Sequence, residues 1–95
     1  MSGYVYILAS KKVGTLYIGV TTDLVKRISE HRNGIKSGFA ARYNAHYLVF
    51  YEVYDDVTDA IVRKKQLKKW ERAWKIRLIE STNPDWSDLY ERIAT

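Results

Sequence analysis

Two tyrosines, an arginine and a histidine are the side chains of this sequence best placed to do chemistry. Tyr6 and Tyr17 lie in two runs of strand formers, YVYILA from Tyr4 to Ala9 and TLYIGV from Thr15 to Val20. Turn residues from Lys11 to Gly14 separate the runs, so the two read as an antiparallel hairpin. Gly19 stands two residues beyond Tyr17 and shares its sheet face. A glycine inside a strand marks a place where something approaches the backbone closely; a substrate phosphate or a helix both fit. Arg27 and His31 are spaced i, i+4 and project side by side from a helix. They border its apolar stripe, at the edge from which a side chain reaches round to a site on the sheet. A guanidinium grips phosphate oxygens in two places at once. A histidine beside it accepts or donates a proton near neutral pH. Taken singly, each residue has an ordinary role too: a strand tyrosine packs, and a helix arginine or histidine is surface.

The second chemical feature is clustered charge. The formal net charge is +5 and the pI about 9.5. Arg63, Lys64, Lys65, Lys68, Lys69, Arg72, Lys75 and Arg77 make up half of the 16 cations, and only Glu71 opposes them within that segment. Clustering of this kind suits phosphate, because each neutralised phosphate releases counterions. A solvated helix face is the plainer reading. On a helical wheel Lys65, Lys68, Arg72 and Lys75 fall on one side, and Lys65 and Lys68 are the candidate phosphate contacts. Ala60, Leu67, Trp70, Trp74 and Leu78 fall on another side, which places Trp70 and Trp74 in the core and not among base-stacking platforms.

These residues need a scaffold. Thr21, Thr22 and Asp23 supply N-cap chemistry and Gly34 a stop. Between them Leu24, Val25 and Ile28 form the stripe of a helix about three turns long. Asn33 to Asn44 has no clear period and reads as a loop, in which Lys36 and Arg42 are candidate backbone contacts. Ala45 to Tyr54 is the third strand. Asp56 or Thr58 caps a helical pattern that runs to about Glu80, with Glu71 as the place for a break. Ser81 to Pro84 stop it, and Trp86 to Ala94 form a short terminal helix. The fold class is α/β: a compact single domain over residues 1–95, with a three-stranded antiparallel or mixed sheet flanked by helices in the order ββαβα(α).

Length and composition agree. A chain of 95 residues holds one small domain. Hydrophobic residues at 46% and charged residues at 28% fit a globular protein and argue against disorder. Eight tyrosines and three tryptophans supply a core of large rings. The absence of cysteine excludes disulfides and thiolate metal sites. No run approaches the roughly 18 apolar residues of a spanning helix, and the start lacks a signal-peptide pattern. The expectation is a cytoplasmic protein with no membrane partner.

In order, these pieces resemble the GIY-YIG nuclease superfamily. Tyr4-Val5-Tyr6 and Tyr17-Ile18-Gly19 look like the two halves of its signature, with Tyr4 in place of the usual first glycine and the second half intact. The tail, Leu78-Ile79-Glu80 and then Asn83-Pro84-Asp85-Trp86-Ser87-Asp88-Leu89, is similar to that of its small stand-alone bacterial branch of predicted endonucleases. The resemblance covers essentially the whole chain. It implies a metal-dependent DNA endonuclease. Tyr6 or Tyr17 would act as general base or orient water, Arg27 would stabilise the scissile phosphate and His31 would assist. Asn83 matches a supporting asparagine. A glutamate on the later helix would hold Mg²⁺ or Mn²⁺.

At that last position the sequence departs. The resemblance implies a pattern like A-x-x-R-E-K, and this chain reads Ala60-Ile61-Val62-Arg63-Lys64-Lys65. An ammonium donates only and cannot coordinate a cation. Three readings follow. Lys64 inactivates the nuclease; or another acid, Glu52 or Glu80, supplies the ligand; or Lys64 itself contacts phosphate, which favours binding over cleavage. The rival functions are a non-catalytic nucleic-acid-binding module using Arg63 to Arg77, and a protein-interaction domain whose basic face meets an acidic partner.

Overall fold

A computed structural model describes residues 1–33 and 44–94. Lys36 and Arg42 lie outside the described residues. The hairpin forms as the strand runs dictate: β1 (Gly3–Ala9) pairs antiparallel with β2 (Leu16–Thr21). Helix α1 (Leu24–Arg32) follows, then β3 (Tyr47–Tyr54), α2 (Val57–Lys69), α3 (Arg72–Thr82) and the short α4 (Tyr90–Ala94). β3 pairs antiparallel with β1, giving the strand order β2-β1-β3 and leaving β2 at an edge. The sheet is therefore antiparallel throughout.

Strand alternation sorts the core into two layers. Tyr6 and Leu8 of β1 meet Leu24 and Ile28 of α1 and Leu89 of the tail on one face. Val5, Ile7 and Ala9 meet Ala60 and Leu67 of α2 and Ile79 of α3 on the other. The β1–β3 register slips between Ile7, opposite Phe50, and Leu8, opposite Leu48. Val49 is the extra residue of a bulge, so Val49 and Phe50 both join the second layer.

The helix starts follow capping chemistry. Asp23 caps α1, its Oδ1 accepting from Lys26 N at 3.1 Å. Asp56 caps α2, its Oδ1 accepting from Thr58 N at 3.0 Å. The long helical pattern breaks at Trp70 and Glu71, whose backbones are extended with ψ of 148° and 150°. No glycine or proline is needed there. The Arg72 guanidinium donates to Val13 O at 2.8 Å and Gly14 O at 2.6 Å, which ties the first turn of α3 to the hairpin turn. Trp70 lies under the Arg63 guanidinium, 5.1 Å from ring centroid to Cζ.

The break corrects one expectation. A wheel drawn through it carries Trp74 into the core, but the helical phase restarts at Arg72. Trp74 is 49% exposed, while Trp70 packs against the core. The terminal helix is also shorter than the sequence suggests, because residues 86–89 bond to other elements. Leu89 N donates to Leu48 O at 2.8 Å, Asp88 Oδ1 accepts from Leu48 N at 3.2 Å, and Asp88 pairs with Arg32. Among the described residues no helix is long and apolar enough to cross a membrane.

Candidate functional site

The hairpin and α1 bring Tyr6, Tyr17 and His31 into one cluster. The Tyr6 and Tyr17 ring centroids are 6.3 Å apart, Tyr6 to His31 is 6.0 Å and Tyr17 to His31 is 5.7 Å. The Tyr6 hydroxyl lies 3.3 Å from His31 Nε2. Tyr6 and His31 are buried and Tyr17 is half-buried. Gly19 sits opposite Tyr6 in the ladder. A Cβ on Gly19 would lie 2.3 Å from both Tyr6 Cζ and Oη. The group that approaches this glycine is thus the Tyr6 phenol, which lies across the backbone of β2. Gly19→Ala is expected to cost about 1–3 kcal/mol, because the ring is hemmed in and overpacking is not relieved. Thermal unfolding of the variant measures it, and an unchanged midpoint would contradict the packing.

Burial, reinforced by neighbouring Tyr17, pushes the Tyr6 phenol up to about 12, against a smaller downward pull from the Arg27 guanidinium. At neutral pH Tyr6 is therefore a protonated phenol, fit to donate a hydrogen bond and poorly fit to act as a base. A raised folded value means that the folded state holds its proton longer than the unfolded chain does. The stability this contributes is complete below about pH 10 and is lost as pH rises toward 12. An ultraviolet pH titration should show a late phenol that Tyr6→Phe removes. A Tyr6→Phe curve that still contains the late phenol would reassign it.

Lys64 comes from the opposite layer. It is half-buried on α2, and its ammonium is held below the usual lysine range by burial first, then by the charges of Lys68, Arg27 and Lys65. Arg27 of α1 and Lys64 of α2 come from helices on opposite faces of the sheet, near enough for the charge of one to act on the other. Lys65 and Lys68 are exposed beside them. Arg27 also faces Glu30 at 3.8 Å.

Two other cations of the band are occupied. Arg63 Nε and Nη2 donate to the Glu52 carboxylate at 3.0 and 3.2 Å, and Arg72 holds the hairpin turn. Glu52 also accepts from the Tyr54 hydroxyl at 2.9 Å. Glu80 accepts from Trp86 Nε1 at 2.8 Å. Both substitute acids are thus engaged elsewhere. Among the described residues no three His, Asp or Glu side chains gather as a metal site. At position 64, where the resemblance puts the metal-holding glutamate, the Lys64 ammonium donates only and does not suit Mg²⁺ or Mn²⁺.

Asn83 is not brought to the cluster. It is buried at the C-cap of α3. Its Nδ2 donates to Val49 O at 3.1 Å and to Ser87 O at 2.9 Å, while its Oδ1 accepts from Ser87 N at 3.0 Å. Val49 O belongs to the bulge on β3, and β1 separates that strand from β2. The asparagine closes the tail onto the far edge of the sheet. Lys75, which the wheel puts on one side with Lys68, lies beside it across the break; its Nζ is 3.5 Å from Lys68 O. The pattern gives Glu71 as the place for the break, and the structure has it at Trp70 and Glu71.

The family model of the GIY-YIG catalytic domain matches residues 2–77. The solution NMR structure of the UPF0213 protein BH0048 from Bacillus halodurans is similar to this chain, with 27% identity, 93% of each chain covered and a TM-score of 0.58. No curated protein matches.

Proposed function

Because this chain belongs to the GIY-YIG catalytic-domain family, we propose that it binds DNA through Arg27, Lys64 and Lys68 beside the tyrosine cluster, and that Lys64 keeps it from cutting. The observation that supports this reading is Lys64 itself: a half-buried ammonium on α2 that feels the charges of Lys68 and Arg27, where the resemblance puts a glutamate. Glu30, 3.8 Å from Arg27, offsets only part of the like charge of Arg27, Lys64 and Lys68, and a further anion lowers the remaining repulsion. A phosphate supplies that anion and accepts from all three. Tyr6, protonated at neutral pH and buried with its hydroxyl beside His31, braces the cluster from the sheet. Lys64 would repel a divalent cation, so no step of hydrolysis is assigned to such an ion here. Gly19 contributes by letting the Tyr6 ring lie where it does. Asn83 holds the scaffold.

Fluorescence anisotropy of labelled DNA across a salt series tests the reading. The logarithm of affinity should fall linearly with the logarithm of salt concentration, and Lys64→Gln should reduce the slope by about one phosphate contact. An unchanged slope in Lys64→Gln would remove Lys64 from the interface.

A further inference from the structure

Lys64 stands apart from the other described lysines. Among them only Lys64 and Lys75 are half-buried, and the rest are exposed. The Lys75 ammonium donates to Lys68 O at 3.5 Å. Among the described residues the Lys64 side chain has no hydrogen bond and no ion pair; the acids that pair with cations face Arg27, Arg32 and Arg63. The charges that act on Lys64, those of Lys68, Arg27 and Lys65, are all positive. A half-buried ammonium with no acceptor gives up its proton more readily than a solvated one, and burial is the larger cause here, ahead of the cationic neighbours. The amine that remains is a nucleophile toward carbonyl carbon. Its neighbours stay charged: the Arg27 guanidinium does not lose its proton, and Lys68 is exposed to water.

We propose that Lys64 attacks the sugar aldehyde of an abasic nucleotide and cuts the strand there by β-elimination. This rests on the DNA reading above and adds an activity to it. Undamaged DNA carries no aldehyde, so it is held intact. At an abasic nucleotide Arg27 and Lys68 keep the phosphate, and the aldehyde carbon C1′ lies within a lysine's reach of the phosphate of its own nucleotide. The Nζ lone pair adds to C1′. The carbonyl oxygen leaves as water, with one proton from the amine and one from solvent, and an iminium joins Nζ to C1′. The iminium draws electrons from C2′, and water takes the C2′ proton. The C3′–O bond then breaks, and its electron pair leaves on the phosphate. Water adds across the C=N bond, which frees the amine and leaves an unsaturated aldehyde on the 5′ fragment. Nothing is oxidised or reduced overall, and the amine is regenerated.

The test uses the whole chain, EDTA and two labelled strands: one with a single natural abasic site, and one with a tetrahydrofuran residue there, which has no aldehyde. Each is offered alone and in a duplex. Borohydride reduces an iminium to a stable amine, so a covalent protein–DNA band on a denaturing gel reports it. The wild-type chain should give that band with the natural abasic strand and not with the tetrahydrofuran strand. Peptide mass spectrometry of the band should place the link on Lys64. Without borohydride the abasic strand should be cut at that site and the tetrahydrofuran strand left whole. Lys64→Arg, which keeps the charge but not the nucleophile, should still bind both strands and lose the band. The mass spectrum of the wild-type band decides even if Lys64→Arg does not fold. Bound abasic strand with no band, or a link on any other lysine, overturns the imine and leaves the DNA reading standing. Failure to bind either strand, alone or paired, overturns both.

Discussion

Lys64→Glu is expected to convert a chain that holds DNA intact into one that cuts it, in Mg²⁺ or Mn²⁺ and not in their absence. The substitution changes the local charge by two units at a half-buried position flanked by Arg27 and Lys68. It removes the group that repels a divalent ion and supplies an oxygen ligand of the kind such ions take. A metal at phosphate contributes several kcal/mol to the transition state, so the gain over the wild-type chain should be about three powers of ten. Lys64→Gln is the control. It removes the charge without adding a ligand, and it should leave DNA uncut. Cleavage of labelled DNA by the three proteins, followed on denaturing gels, reads the result. If Lys64→Glu is as inert as Lys64→Gln, position 64 is not the metal-binding place of this fold.

Asn83→Ala should destabilise the protein without touching its site. The side chain makes three hydrogen bonds in a buried setting, two donated and one accepted. Truncation leaves Val49 O, Ser87 O and Ser87 N short of a partner, one of them at the β3 bulge where the ladder is interrupted. Each unsatisfied group costs about 1–3 kcal/mol, and partial access to water for the Ser87 groups keeps the total near 3 kcal/mol. For a domain of this size that lowers the melting temperature by roughly 15 °C. DNA affinity measured well below the new midpoint should be unchanged. A variant with normal stability and lost binding would return Asn83 to the site.

The scaffold was readable because its signals are local. Strand runs set β1 and β2, Asp23 and Asp56 set the helix starts, and the alternation of Tyr6 with Val5 and Ile7 set the two layers. What was not readable depends on contacts between distant parts of the chain. The break near Glu71 was legible, but the contacts that accompany it, Arg72 on the hairpin turn and Arg63 over Trp70, have no spacing that reveals them. Trp74 was misplaced because a wheel drawn through the break carries it into the core. Resemblance brought Asn83 into the site; its bonds to Val49 and Ser87 make it a clamp. Arg27 and Lys64 could be named from sequence, but that the charge of one acts on the other from helices on opposite faces of the sheet follows from the fold.

The most direct measurement incubates the wild-type chain with end-labelled single-stranded and duplex DNA in Mn²⁺, and reads bound fraction and strand length from the same samples. The account predicts bound DNA of unchanged length, released by salt. Wild-type chain that binds and cuts would contradict it, because an acid other than one at position 64 would then be serving the metal.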